Sequence, residues 1–247
     1  MKDINEFINQ IIEGDCLEVL KQLPDNSVNL VFTSPPYNTG NEGKNKDMYV
    51  EYIDAFSDEE YYKLLSGSLA EMLRICCGPV FLNLNYMENN KRVIYKLLYE
   101  FVDYLRENII WDKGRCQPPI GNILGKRYEY VLLFTKNKDF VINAFKNNLA
   151  KGYERFFGNW ISNLLQLSIK SDQTKYSGIH RAGFPLSLPK ILIDIYTQEG
   201  DIVLDPFVGL GTAAIAAKEL KRKYIGIEMQ KRYCEIARNS LKQEILF

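Results

Sequence analysis

The chain has 247 residues, of which 46% are hydrophobic, and its formal net charge is zero. This length supports one sizeable core, and no apolar run approaches the roughly 20 residues that span a bilayer. Its five cysteines form no CxxC pair and its only histidine is His180, which argues against a Cys/His zinc site and favours a reducing, cytoplasmic location.

Short apolar runs separated by turn signals predict seven strands. In chain order they lie at 9–13, 28–32, 79–84, 108–112, 130–135, 202–205 and 224–228. Helices are predicted at 16–23, 57–76, 87–104, 188–198, 212–221 and 230–242. Ser57 and Glu60 form a capping-box pattern at the start of the long second helix. Strands that alternate with helices indicate an α/β fold, with a mostly parallel sheet and helices on both faces.

The sequence Ser34-Pro35-Pro36-Tyr37 follows the second predicted strand. Two consecutive prolines remove two backbone donors, fix two φ angles and favour an extended Ser34. The resulting stiff loop carries a hydroxyl on one side and an aromatic ring on the other, which suits a flat, hydrogen-bonding ligand such as a nucleobase. An ordinary proline-rich turn after a strand is the alternative interpretation.

A second motif, Asp205-Pro206-Phe207-Val208-Gly209-Leu210-Gly211-Thr212, lies between a predicted strand and an alanine-rich helix. The strand after that helix ends in Glu228, so the segment is typical of a nucleotide-binding βαβ unit. The glycines let backbone approach a ligand, and Glu228 could accept hydrogen bonds from two ribose hydroxyls. The glycine pattern also fits a nicotinamide-binding oxidoreductase, although a carboxylate directly before it suits a pyrophosphate site poorly.

Residues 136–178 break the strand–helix alternation and are predicted to be an insertion rich in basic and aromatic residues. Between residues 113 and 181 there are twelve Lys or Arg and four Asp or Glu. This segment is therefore basic, and the rest of the chain carries a matching excess of acidic residues. This distribution favours contact with a phosphate backbone. The candidate DNA-binding residues are Lys113, Arg115, Lys126, Arg127, Lys151, Arg155 and Lys175.

The two motifs, in this order, resemble those of the amino-methylating DNA methyltransferases in their permuted β-class arrangement. The resemblance covers nearly the whole chain and implies a Rossmann-like fold with S-adenosylmethionine as the cofactor. It implies a catalytic half at 1–135, a target-recognition insertion at 136–178 and a cofactor-binding half at 179–247. The implied cofactor-binding residues are Asp15, Cys16, Phe184, Pro185, Asp205, Phe207, Gly209, Gly211, Thr212 and Glu228. Leu210 departs from the family, which usually has a small Ser there.

The same resemblance implies catalysis by Ser34, Pro35, Pro36 and Tyr37 on a base flipped out of double-stranded DNA. The Ser34 hydroxyl and the Pro35 carbonyl would accept hydrogen bonds from an exocyclic amino group, and Tyr37 would stack on the ring. Ser in the first position resembles the branch that methylates N4 of cytosine, with N6 of adenine as the alternative. The resemblance is also compatible with a homodimer and a cognate restriction endonuclease. A non-catalytic DNA-binding subunit and methylation of RNA or a protein amide stay open.

Overall fold

The computed structural model describes residues 2–40, 54–114, 124–137, 162–167 and 183–242. Within these ranges the strands are β1 Gln10–Glu13, β2 Leu30–Thr33, β3 Val80–Leu84, β4 Leu105–Asp112, β5 Tyr128–Phe134, β6 Leu164–Gln166, β7 Ile202–Asp205 and β8 Lys223–Glu228. The helices are α1 Cys16–Leu20, α2 Asp58–Ile75, α3 Lys91–Glu100, α4 Ser187–Tyr196, α5 Thr212–Glu219 and α6 Lys231–Lys242, after a 3-10 turn at Ile4–Glu6.

The described strands form one sheet in the order β1-β8-β7-β2-β3-β5-β4-β6. Only β5 runs antiparallel, to both β3 and β4, and the other neighbouring pairs are parallel. The predicted α/β fold with a mostly parallel sheet is therefore confirmed. Because β5 is reversed, its first residues lie at the same edge of the sheet as the carboxyl ends of the parallel strands.

Apolar residues cover both faces of the central strands. Every residue of β2 and β3 is buried, as expected for strands sandwiched between helices. Side chains alternate between the faces: Val31 belongs to the core beneath α2 and α3, whereas Leu30 and Phe32 belong to the core beneath α4 and α5. Among the residues described, no helix combines the length and the apolar character needed to cross a membrane.

The structure differs from the sequence prediction mainly at the far edge of the sheet. An eighth strand, β6, lies inside the predicted insertion and pairs with β4 through Ile110 and Leu164. Three residues of this strand carry too short a pattern to distinguish from a loop. The predicted helix 87–104 is shorter, because Phe101–Tyr104 forms turns before β4 begins. The capping box of α2 is confirmed, with reciprocal hydrogen bonds between Ser57 and Glu60.

Candidate active site

Four neighbouring parallel strands present their carboxyl ends side by side. In sheet order, β1 leads into Asp15, β8 ends at Glu228, β7 ends at Asp205 and β2 leads into Ser34. In an open α/β sheet, ligands bind beyond this edge. The two sequence motifs, about 170 residues apart in the chain, are therefore brought next to each other on adjacent strands.

One hydrogen bond joins the residue before the proline motif to the glycine motif. The Thr33 hydroxyl donates to Asp205 Oδ1 at 2.6 Å, and the Phe207 amide donates to the same oxygen at 3.1 Å. Burial raises the pKa of Asp205 to about 7, against the opposing effect of these two donors. Since Thr33 immediately precedes Ser34, this contact holds the start of one loop against the start of the other.

The proline loop, residues 34–37, is anchored by hydrogen bonds from residues outside it. Tyr61 donates its hydroxyl to the Pro36 carbonyl at 2.7 Å, and the Asn90 amide donates to the Tyr37 carbonyl at 2.7 Å. Asn38 follows with a φ of 53°, which suits asparagine. Its backbone N–H donates to the buried side chain of Asp54. Among the described residues, none donates a hydrogen bond to the Pro35 carbonyl.

The hydroxyl of Ser34 is part of a polar cluster whose members lie in, or directly after, four neighbouring strands. Ser34 Oγ donates to the Tyr37 hydroxyl at 3.0 Å, which in turn donates to Glu129 Oε2 at 3.0 Å. Asn83 Nδ2 donates to the Tyr37 hydroxyl at 2.7 Å and to Glu129 Oε2 at 3.0 Å. Lys113 donates to the other carboxylate oxygen of Glu129 at 2.9 Å. Ser34 therefore lies at one end of a network whose other end is an ion pair.

The glycine loop opens a space beside the end of β7. Gly209 has a φ of 50°, and a Cβ there would meet no atom within 4 Å. Gly211 has a φ of 92° and caps α5, but a Cβ there would lie 3.1 Å from Ala237 Cβ. Gly211 is thus required for helix packing, and Gly209 borders open space. Thr212 is the first residue of α5 and is half-buried.

Glu228 faces this loop across the sheet edge. One carboxylate oxygen accepts from the backbone N–H of Gly209 at 3.0 Å, and the other accepts from the backbone N–H of Gln230 at 2.8 Å. Burial raises the pKa of Glu228. Each carboxylate oxygen has a second acceptor site for a ligand hydroxyl. The open space at Gly209 and this carboxylate fit a nucleoside with a charged side chain, as S-adenosylmethionine has.

The remaining predicted cofactor residues border the same edge. Asp15 caps α1, with Oδ1 accepting from the Leu17 amide at 2.8 Å. Cys16 is buried, and burial raises the pKa of its thiol to about 11, so it packs as an uncharged group. Phe184 packs edge-to-face on Phe32 of β2, with ring centroids 5.0 Å apart. Pro185 is buried beside it, at the start of α4.

The described basic candidates are already paired. Lys113 and Glu129 form a nearly buried ion pair, with side chains 10% and 12% exposed, which argues against Lys113 as a phosphate contact. Arg127 makes a bidentate pair with Asp112 and stays half-exposed. Lys126 donates to the Tyr86 carbonyl at 2.6 Å. Arg115, Lys151, Arg155, Lys175 and His180 lie outside the described residues, so their predicted roles stay predictions.

Three residues of this site were missed from the sequence as functional groups: Thr33, Asn83 and Glu129. Each lies in a predicted strand or directly beside one, where its polar side chain was the available signal. Buried polar residues at the ends of strands are unusual unless they are paired or functional. Thr33 and Asn83 are buried, and Glu129 is nearly so.

Comparison with known proteins gives a consistent result. The family model of the N6/N4 DNA methylases matches residues 28–239. The type II methyltransferase M.HinfI of Haemophilus influenzae is 31% identical over 98% of this chain and 70% of its own length.

Two solved structures have the same fold. The cytosine-N4-specific PvuII DNA methyltransferase superposes with a TM-score of 0.73, at 23% identity, over 95% of this chain and 86% of its own. A Thermus thermophilus protein, provisionally assigned as a DNA modification methylase and solved with S-adenosyl-L-methionine, superposes with a TM-score of 0.67 at 25% identity, over 94% of each chain.

Proposed function

The chain belongs to the N6/N4 DNA methylase family, and we propose that it transfers a methyl group from S-adenosylmethionine to the N4 amino group of cytosine in duplex DNA. The observation that carries this proposal is the hydrogen bond from Thr33, the residue directly before the proline motif, to the first residue of the glycine motif. Thr33, which precedes Ser34, donates to Asp205 at 2.6 Å. A base held by the proline loop and a cofactor held by the glycine loop would meet across this contact.

Family membership contradicts the nicotinamide oxidoreductase considered from the glycine pattern. S-adenosylmethionine as the cofactor is supported by the family and by the neighbour solved in complex with it. When bound, this cofactor supplies an electrophilic methyl group on a sulfonium. Glu228 would hold its ribose, and Gly209 would let backbone approach its amino-acid portion. Because M.HinfI is a type II methyltransferase, we infer that this chain modifies DNA within a restriction–modification system.

The chemistry follows from the acceptors that Ser34 and Pro35 offer. The lone pair of an exocyclic amino group is delocalised into its ring, so the nitrogen is a weak nucleophile. Acceptors that bind its two hydrogens favour a pyramidal nitrogen, whose lone pair would attack the methyl group in line. The bond between the methyl carbon and sulfur would break with its electron pair leaving on sulfur, and the nitrogen would then release one hydrogen as a proton to solvent. Orientation in a closed site supplies much of the rate acceleration, without a covalent enzyme intermediate. The base must leave the helix to reach this edge of the sheet.

The half-buried Tyr37 is proposed to pack against the flipped base. Its hydroxyl is anchored by Glu129 and Asn83, so the ring is held in place before the base arrives. Stacking of a base on an aromatic ring is worth about 1–3 kcal/mol. Ser34 resembles the cytosine branch of the family, and this resemblance supports cytosine over adenine as the target.

The test is to incubate the enzyme with methyl-labelled S-adenosylmethionine and mixed-sequence DNA, digest the DNA to nucleosides and identify the labelled one by mass spectrometry. We expect N4-methylcytosine. N6-methyladenine would replace cytosine with adenine as the target, and no labelled nucleoside would refute methyl transfer to DNA.

A variant links the activity to the loop. Ser34→Ala should lower the single-turnover rate about 10²–10³-fold, the cost of removing one oriented hydrogen-bonding group from a transition state. Calorimetric affinity for S-adenosylmethionine should stay near that of the wild type, because Ser34 lies on the substrate side. Loss of cofactor binding would show that Ser34 has been misplaced.

A further inference from the structure

A serine hydroxyl can both donate and accept a hydrogen bond, but only an acceptor helps an amino group to become nucleophilic. Something must therefore set the direction of the Ser34 hydroxyl. Ser34 Oγ contacts the Tyr37 hydroxyl, and the Tyr37 hydroxyl contacts Glu129 at the start of β5. Glu129 forms a nearly buried ion pair with Lys113 through Oε1 at 2.9 Å, and its Oε2 accepts from Tyr37.

An ionised carboxylate accepts hydrogen bonds and cannot donate them, and this determines the direction of the whole chain. The single hydrogen of the Tyr37 hydroxyl is used on Glu129 Oε2, 3.0 Å away. Tyr37 then has no hydrogen to give to Ser34, so Ser34 is the donor in their 3.0 Å contact, which is shorter than its 3.5 Å contact with the Asn83 backbone carbonyl. Asn83 Nδ2 lies 3.5 Å from Ser34 Oγ, at the limit of a hydrogen bond, and the remaining acceptor capacity of this oxygen can bind a ligand hydrogen.

The orientation of Asn83 has the same cause. Its Nδ2 group faces Tyr37 and Glu129, whereas its buried Oδ1 has no hydrogen-bond partner among the described residues. An unpaired buried carbonyl costs about 1–3 kcal/mol. The reverse orientation would place Oδ1 about as close to the Glu129 carboxylate as Nδ2 is now, which is repulsive. The hydrogen bond from Asn83 Nδ2 to the charged Glu129 therefore determines this orientation, although Oδ1 has no partner among the described residues.

We propose that Glu129 is a positioning residue that, through the Tyr37 hydroxyl, holds Ser34 as a hydrogen-bond acceptor for the amino group of the target base. This inference rests on the proposed function and adds to it a reason for selecting one kind of base. The site favours bases that present an amino group over those that present a carbonyl at the same ring position. A deaminated base would place one acceptor against another.

The test measures binding and needs no methyl transfer. Two duplexes differ only at the methylated position, which carries either the amino base or its deaminated counterpart, uracil for cytosine or hypoxanthine for adenine. In both duplexes this base lies opposite an abasic site, so that neither base must break a pair to leave the helix. Wild-type protein should bind the amino duplex at least about tenfold more tightly, as expected for one mismatched buried hydrogen bond. In Glu129→Gln, the side-chain amide can donate to Tyr37 and reverse the chain, so this ratio of dissociation constants should fall at least about fivefold.

Glu100→Gln is the matched control, since Glu100 also accepts from a tyrosine hydroxyl, that of Tyr62, but on the protein surface. Its binding ratio should equal that of the wild type. Tyr37→Phe, which breaks the chain without adding a donor, should lower the ratio as Glu129→Gln does, and it serves as the second test if Glu129→Gln unfolds.

The outcomes separate the two proposals. A wild-type protein that transfers no methyl group would overturn the proposed function and this inference with it. A protein that methylates DNA but has the same binding ratio in the wild type, Glu129→Gln and Tyr37→Phe would overturn this inference alone.

Discussion

The buried carboxyl of Asp205 should make the stability of the protein depend on pH. Its pKa is raised from 3.8 to about 7, chiefly because burial penalises the charged form. Between about pH 4 and pH 7, the folded chain holds a proton that the unfolded chain has released. The folded state binds more protons in this window, so the contribution of Asp205 to stability is fully present below about pH 4 and is lost as pH rises to 7.

The size of the effect follows from the shift. Each pKa unit corresponds to about 1.4 kcal/mol, so the contribution of Asp205 should fall by roughly 3 kcal/mol from pH 5 to pH 8. Asp205→Asn keeps the size of the side chain and its acceptor for the Thr33 hydroxyl, but it does not titrate. The variant should therefore gain about 3 kcal/mol of stability relative to the wild type over this range.

The measurement is urea unfolding of both proteins, without cofactor, at half-unit steps between pH 5 and pH 8. Asp58→Asn, the same substitution at an exposed position of α2, is the control and should follow the wild type. Parallel curves for the wild type and Asp205→Asn would show that Asp205 is already ionised at pH 5, and would refute the assignment of a protonated carboxyl to this site.

Three further changes test other parts of the structure. Glu228→Ala should weaken S-adenosylmethionine binding about 10- to 100-fold in calorimetry, since hydrogen bonds to a charged group are worth about 1.5–3 kcal/mol; unchanged affinity would remove Glu228 from the cofactor site. Gly211→Ala should lower the free energy of unfolding by roughly 1–3 kcal/mol in urea, because of its φ of 92° and the nearby Ala237. Ser57→Ala should cost about 1 kcal/mol by the same assay through loss of the α2 cap, and an unchanged unfolding midpoint would show that the cap contributes nothing.

Much of the fold was predictable because it depends on residues close together in the chain. The apolar runs located seven of the eight described strands to within a few residues, and Ser57 and Glu60 marked the start of α2. The strand that was missed depends on a partner far away in the chain. The three-residue strand β6 has too few residues to show a period of two, and it forms only because the edge of β4 is there to pair with it.

The candidate site, too, was predictable from the sequence only in part. The sequence by itself indicated the two loops, since consecutive prolines fix two φ angles wherever they occur and closely spaced glycines allow a tight turn. Only the tertiary structure decided that Thr33 reaches Asp205 and that Lys113 pairs with Glu129. Those contacts depend on strand order and on the reversal of β5, which are set by the packing of the whole sheet and leave no pattern in the residues nearby.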